Sequence, residues 1–201
     1  MKKERIETFT DGVIAIIITL MVLQIKLPEL TAANTLLLFR HIVLYGLSFF
    51  SIAIIWLNHH NMFLVIEKVD TKTIWTNMVL LFFMSLLPIP TKALGEQFYD
   101  KESHLFFGAV MTAISITYSL LQTNISRTLA KVSLENKTKI NKINWLSTTL
   151  YALSIPLSFV SVYLSTLVFV LVPVIYFIPS KTLHVKNYTM PENKEDKNKL
   201  V

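Results

Sequence analysis

A few titratable and amide side chains interrupt an otherwise apolar sequence, and these are the residues that could do chemistry. Asp11 comes directly before an uncharged run, residues 12–23. Arg5 precedes the same run, His59 and His60 follow a second apolar stretch, Asn77 lies within a third, and Gln122 lies near the end of a fourth. Ionisable groups inside membrane segments usually face a protein interior or water and mark functional sites. The pattern therefore predicts a polar layer shared by several apolar helices.

The adjacent histidines suggest metal coordination, but their spacing does not favour it. Neighbouring side chains on a helix point about 100° apart, and no His, Cys, Asp or Glu lies four residues before or after either histidine. Two ligands make a weak site. Hydrogen bonds from His59 and His60 to Asp11, Asn77 or a backbone carbonyl are the favoured interpretation, and the sequence predicts no metal and no cofactor.

Asp11 admits two interpretations. As a residue in a first helical turn it would accept backbone N–H bonds and stabilise the helix by about 0.3–1 kcal/mol, a role that Thr10 could share. Alternatively, Arg5 or a histidine holds the carboxylate inside the bundle and fixes how the first helix packs. The residues alone favour neither interpretation.

The chain lacks the residue sets that enzymes use inside membranes. It has no cysteine, and its four glycines are dispersed, which excludes thiolate chemistry and phosphate-cradling loops. No paired carboxylates and no nucleophile beside a base fall within an apolar stretch. We therefore predict that the protein is not an enzyme and favour a channel or carrier, with a purely structural membrane protein as the third class.

The elements that must position these residues are membrane-spanning helices. The chain has 201 residues, is 53% hydrophobic and only 16% charged, with a mean hydropathy of +0.53. A soluble domain of this size could not bury that much apolar surface. A span needs about 20 mostly apolar residues, and acidic residues before the first run argue against a cleaved signal peptide. We expect an all-α polytopic fold of six spans, at residues 8–27, 35–57, 73–94, 104–125, 143–160 and 162–179.

The distribution of positive charge predicts the orientation of the spans. Six spans put both termini on one side of the membrane, and most of the 19 Lys and Arg residues fall on that side. The exceptions are Lys26, Arg40, Lys92 and Lys101. Since cytoplasmic loops carry the basic excess, we expect cytoplasmic termini, and the net charge of +6 is not a sign of nucleic-acid binding. Residues 1–184 would form one transmembrane domain, and residues 185–201 a disordered charged tail.

The first predicted helix has two apolar stripes. Ile16, Leu20 and Leu23 share one stripe, with Thr19 beside them. The opposite stripe consists of Ile14, Ile18, Met21 and Ile25. Periodicity does not decide which stripe would line a pore, and a lipid-buried helix explains the pattern equally well. The chain has no Gly-x-Gly segment for a carbonyl filter, so side chains would have to select any conducted ion.

The opening segment RIETFTDGVIAIIITLMVLQIKLP, residues 5–28, resembles the first helix of the prokaryotic relatives of lysosomal transmembrane protein 175, a potassium channel family. The family pattern is Arg-x-x-x-Phe-Ser-Asp before Gly-Val and an Ala-Ile-x-x-Thr-Leu run, and Thr10 replaces the serine here. The resemblance continues in WLNHHNMF at 56–63 and WTNMVLLFFMSLLPIPT at 75–91. It implies a homotetramer of six-span subunits in the cell membrane, with the first helices lining a passive, potassium-permeable pore.

The resemblance also implies roles for particular residues. Rings of Ile16, Leu20 and Leu23 would form a hydrophobic constriction, with the Thr19 hydroxyl beside it. A packing network would orient the pore helix and consist of Arg5, Phe9, Thr10, Asp11, Trp56, His59, His60 and Asn77. Gln24 stands where an acid is common, so we expect weaker cation attraction at that mouth. The alternatives from other classes are a secondary or proton-coupled transporter and a non-conducting scaffold.

Overall fold

The computed structural model describes residues 2–25, 34–64, 66, 68–128 and 134–177, and every regular element in these ranges is an α-helix. The helices are α1 (Lys3–Leu23), α2 (Thr35–Leu64), α3 (Thr71–Leu86), α4 (Pro88–Glu96), α5 (Lys101–Thr128), α6 (Leu134–Val160) and α7 (Val162–Phe177). The prediction of an all-α fold is confirmed. The predicted tail, residues 185–201, lies outside the described residues.

Most of these helices are long and apolar enough to cross a membrane. The described residues contain five helical segments of this kind, one of which is the combined α3 and α4 from Thr71 to Glu96. The helix α7 is apolar but shorter. The protein is therefore a multi-pass membrane protein by length and composition. The six-span count remains a prediction, because it requires α7 to cross as well.

Two helices extend beyond the predicted spans in a way that matters for the site. The first span was expected from residue 8, but α1 begins at Lys3, because Ile6 and Thr10 continue the buried stripe of the apolar run. The second was expected to end at residue 57, but α2 continues to Leu64, with His59 and Phe63 buried on one face. The polar motifs therefore lie on helices and not in the loops that flank them.

The third span is broken where its sequence contains prolines. Leu87 separates α3 from α4, and Pro88 occupies the first position of α4, where a missing N–H costs no helical hydrogen bond. Thr91 then donates from its hydroxyl to the Leu87 carbonyl at 2.8 Å and lies 2.9 Å from the Ser48 hydroxyl of α2. The hydrogen bond between the Thr91 and Ser48 hydroxyls thus connects the first turn of α4 to the middle of α2.

The core of the C-terminal half forms around α5, which packs against α3, α4, α6 and α7. Its buried side chains repeat every three or four residues and include Phe107, Met111, Ile114 and Leu121. Gly108 lies on the same buried stripe, and a Cβ at this position would come within 2.6 Å of the Ser154 hydroxyl oxygen. The glycine therefore permits the close approach of α5 and α6. The chain turns from α6 into α7 at Ser161.

Candidate functional site

The two faces of α1 have different environments. Ile14, Ile17 and Met21 are buried against the rest of the subunit, where α1 packs on α2, α3 and α4. On the other face, Ile16, Leu20 and Leu23 are 59%, 47% and 78% exposed. The structure thus distinguishes the two apolar stripes of the sequence, because only the stripe of Ile16, Leu20 and Leu23 faces away from the subunit core.

Small and polar groups accompany the exposed stripe. A Cβ at Gly12 would meet no atom within 4 Å, so this part of the surface is open. The Thr19 hydroxyl lies 2.8 Å from the Ile16 carbonyl oxygen and 3.1 Å from that of Ala15. Its hydrogen is therefore directed into its own helix, and the oxygen retains lone pairs that can accept a hydrogen bond or contact a cation.

A buried polar network fastens the other face of α1 to α2 and α3. The Asn77 side chain donates from Nδ2 to the Thr10 hydroxyl at 2.9 Å and accepts at Oδ1 from His59 Nε2 at 3.0 Å. All three side chains are at most 2% exposed. Because Asn77 Oδ1 can only accept, the proton of His59 must be on Nε2 in this contact. Its ring also stacks on Phe63, with the centroids 4.3 Å apart.

Asp11 is held by a tryptophan. The Trp56 indole N–H donates to Asp11 Oδ1 at 2.8 Å, and the indole ring stacks on His60 at a centroid distance of 6.1 Å. The capping interpretation of Asp11 is wrong, because α1 begins at Lys3 and Asp11 lies two turns inside it. The second interpretation is also wrong in its main point, because the carboxylate is exposed and not held inside the bundle. It does contact α2, but its partner is neither Arg5 nor a histidine.

Two residues of the predicted network lie apart from it within one subunit. Arg5 and Phe9 are exposed and lie on α1 in line with Ile16. Among the described residues, Arg5 forms no hydrogen bond or ion pair with Asp11 or any other side chain. The other members form two groups: Thr10, His59 and Asn77 are hydrogen-bonded in the interior, and Asp11, Trp56 and His60 are in contact at the surface. Arg5 and Phe9 continue the outward face of the helix.

Gln122 does not join the residues near α1, as the polar layer predicted, but belongs to a separate amide cluster of the C-terminal helices. Asn144 donates a hydrogen bond to Gln122 Oε1 and accepts one from the Tyr176 hydroxyl at 2.9 Å. The available signal was an asparagine at the start of an apolar stretch, which must find a partner once it is buried. Within the described part of the chain, no three His, Asp or Glu side chains lie close enough to hold a metal ion.

Long apolar helices, joined by buried hydrogen bonds and a carboxylate–indole contact, define a multi-pass α-helical membrane protein. A family profile described as "Endosomal/lysosomal potassium channel TMEM175" matches residues 5–88, which include both faces of α1 and all members of its network. A solved TMEM175 homologue is also 30% identical and aligns with 88% of this chain, so the chain belongs to the TMEM175 family. It is accordingly a channel and not an enzyme.

Relatives extend the similarity over nearly the whole chain. A protein of Chryseobacterium sp. (strain P1-3) named as a potassium channel is 34% identical over 185 residues, covering 91% of this chain and 96% of the relative. A crystal structure from Chamaesiphon minutus is described as that of a lysosomal potassium-selective channel TMEM175 homologue. It superposes on this chain with a TM-score of 0.75 at 30% identity, and the alignment covers 88% of this chain and 96% of that chain. Human TMEM175, named as an endosomal/lysosomal proton channel, is 32% identical over 118 residues, which is 50% of this chain and 23% of the human protein.

Proposed function

We propose that the protein is a passive potassium-permeable channel of the cell membrane, a homotetramer in which α1 of each subunit lines a central pore. The observation that carries this proposal is the outward apolar stripe of α1, made of Ile16, Leu20 and Leu23, on a helix whose opposite face is fastened by buried hydrogen bonds. Four such stripes around an axis would form rings of bulky apolar side chains.

The exposed stripe alone would also suit contact with lipid, so two further features support the pore. Gly12 lies in the interior of α1, where glycine costs about 1 kcal/mol relative to alanine, yet nothing in its own subunit needs the space. Gly46 of α2 has equally open surroundings, so Gly12 permits the close approach of a neighbouring helix without requiring it. Thr19 places an oxygen beside the stripe, where it could contact a conducted ion.

The apolar rings would act on the hydration shell of the ion. A narrow hydrophobic passage excludes water and admits an ion only after part of its shell is removed. K⁺ holds its water less strongly than Na⁺ and therefore loses it at a lower cost. The Thr19 oxygens near Ile16 and Leu20 would replace part of the lost hydration. No carbonyl filter and no coupled ion enters this mechanism.

The polar network would fix the rotation of α1 about its own axis. Thr10 and Asp11 are bound to two different helices, through Asn77 and Trp56. A helix held at two points on adjacent sides cannot turn without breaking one of the contacts. The network would therefore keep Ile16 and Leu20 directed at the axis, and Arg5 and Phe9 would contact a neighbouring subunit.

We also propose six spans with both termini in the cytoplasm. The helix α7 has 16 residues, so it rises about 24 Å, somewhat less than the roughly 30 Å of a hydrocarbon core. It carries no charged residue over Val162–Phe177. Such a helix can cross with its ends near the interfaces, and the basic excess then lies on the cytoplasmic side.

The experiment that tests the function is a planar-bilayer recording from purified protein in asymmetric K⁺ and Na⁺. We expect a current that follows the K⁺ gradient without any second ion. A flux that requires a coupled ion or proton would identify a carrier, and the absence of flux would identify a scaffold. A proton gradient imposed at equal K⁺ then tests whether the activity named for human TMEM175 extends to this chain.

A pair of matched variants tests the role of α1. Leu20 and Leu171 are 47% and 45% exposed, on α1 and α7 respectively. Leu20→Ala should change the single-channel K⁺ conductance, because it widens a constriction ring, whereas Leu171→Ala should leave the conductance unchanged. Equal conductance in both variants and the wild type would contradict a pore lined by α1.

A further inference from the structure

A cavity of about 40 Å³ lies between α2, α5, α6 and α7, and none of its lining residues belongs to α1. It is therefore separate from the proposed conduction path. A single ordered water needs roughly 10–15 Å³ of such volume, so the cavity has room for a group larger than one water. The mouth of the cavity opens at the surface of the bundle.

The lining of the cavity restricts the chemistry of its occupant. Most of its wall is apolar and is formed by Ile54, Ile55, Met111, Ile114, Val172 and Pro173. The polar groups are hydroxyls and one amide, contributed by Ser51, Asn58, Ser115, Tyr118, Ser147, Tyr151 and Tyr176. No acidic or basic side chain lines it, so a charged group would enter without a counter-charge. An apolar wall with a few convergent polar groups is the usual composition of a small-molecule site.

One hydroxyl at this cavity has no protein partner. Tyr118 is 8% exposed, and among the described residues its hydroxyl makes no hydrogen bond. By contrast, the Tyr176 hydroxyl donates to Asn144 Oδ1 at 2.9 Å. The Tyr118 oxygen is not among the fully buried atoms that lack a partner, so it remains accessible, and Tyr118 is part of the cavity lining. A phenolic hydroxyl can both donate and accept a hydrogen bond. A ligand hydroxyl in the cavity could therefore form a hydrogen bond with Tyr118.

We propose that this cavity binds the hydroxyl-bearing end of an uncharged amphiphile, with the Tyr118 hydroxyl as its hydrogen-bond partner. The hydroxyl and adjoining carbons occupy the cavity, and the apolar remainder of the ligand leaves through the mouth toward the lipid. Such an alcohol can arrive from water as a short-chain alcohol or from the bilayer as a lipid alcohol. Both sources present the same chemistry to Tyr118.

The test uses the full-length protein in lipid nanodiscs and an octanol that carries a photoreactive diazirine. We expect saturable labelling, with the modified residues on the cavity-facing parts of α5 and α6, as located by mass spectrometry. Competition by added 1-hexanol indicates the aqueous source, and competition by monooleoylglycerol in the nanodisc indicates the lipid source. Competition by either compound supports the site, and competition by neither contradicts it.

Three variants make the test specific. Tyr118→Phe removes only the hydroxyl, and loss of one hydrogen bond worth about 1 kcal/mol should raise the half-saturating concentration about five-fold. Tyr163→Phe, at an exposed tyrosine of α7, should leave it unchanged. Ile54→Trp enlarges a side chain of the cavity lining, keeps Tyr118 and should abolish labelling, with an unchanged size-exclusion profile as the check on folding.

Labelling that rises linearly with probe concentration, or that is equal in wild type and Tyr118→Phe, would overturn the proposal and leave the cavity as a water site. Modification confined to exposed helix faces would do the same. The readout is covalent labelling and not ion flux. The labelling result therefore does not depend on whether the protein conducts K⁺, and a failure of the alcohol-binding proposal would not contradict the proposed channel function.

Discussion

Replacement of Asn77 by leucine is the most direct test of the network behind α1. Asn77 is fully buried and makes one hydrogen bond to α1, at Thr10, and one to α2, at His59. Leucine has nearly the same shape but can neither donate nor accept. Asn77→Leu therefore leaves the hydroxyl oxygen of Thr10 and the Nε2–H of His59 buried without their partners.

The expected loss of stability follows from these two groups. A buried polar group deprived of its partner costs about 1–3 kcal/mol. Thr10 lies at the low end of that range, because a threonine hydroxyl can still donate to the carbonyl one turn earlier in its helix. His59 has no such substitute on Nε2. We therefore expect Asn77→Leu to destabilise each subunit by about 2–4 kcal/mol, well above the roughly 0.6 kcal/mol average of a single interhelical bond in membranes.

The assay is thermal unfolding of the purified protein in detergent, followed by the fluorescence of its three tryptophans. Asn124→Leu is a suitable control, since Asn124 is only partly buried and makes one hydrogen bond, to Thr76. It should lower the melting temperature less than Asn77→Leu. A triple variant with Thr10→Val, His59→Phe and Asn77→Leu removes all three polar groups together and should recover much of the lost stability, because no partner is left unsatisfied.

Two results would refute this reasoning. A melting temperature of Asn77→Leu equal to that of the wild type would mean that the network contributes nothing to the packing of α1. A triple variant less stable than Asn77→Leu would mean that these polar side chains stabilise the protein by interactions other than their hydrogen bonds with one another.

Two further predictions concern the packing of α5 and the cap of α3. Gly108→Ala brings a Cβ within 2.6 Å of the Ser154 hydroxyl oxygen and should destabilise the protein by about 1–3 kcal/mol through overpacking. The control is Gly46→Ala, where a Cβ meets nothing within 4 Å. In the same melting assay this control should be neutral or slightly stabilising. The hydrogen bonds from Thr73 hold the pKa of Asp70 below its ordinary value of 3.8. Ionised Asp70 therefore contributes fully to stability at pH values above 3.8, and this contribution is lost as the pH falls through the lowered pKa of the folded protein. Asp70→Asn keeps a capping side chain without the titration, and its melting temperature should therefore fall less on acidification below pH 4 than that of the wild type; equal slopes would contradict this role for Asp70.

Much of the helical architecture could be predicted from the sequence. Uncharged apolar runs such as residues 12–23 demand helices in a membrane, because only a helix satisfies the backbone hydrogen bonds of a single segment locally. The sequence also predicted polar contact between these helices, and His59 and Asn77 do meet in the interior, whereas Asp11 is exposed and pairs with Trp56. These inferences succeed because they depend on composition and on spacing along one segment.

Other features were decided only by the tertiary structure. The sequence has two equally apolar stripes on the first helix, and contact with α2, α3 and α4 selected Ile14 and Met21 for the core and left Ile16 and Leu20 outside. The partner of Asp11 proved to be Trp56, 45 residues away in the chain, and the unpartnered hydroxyl of Tyr118 is visible only where four helices meet. Such contacts depend on how helices rotate and pack against one another, and neither periodicity nor spacing within a single helix contains that information.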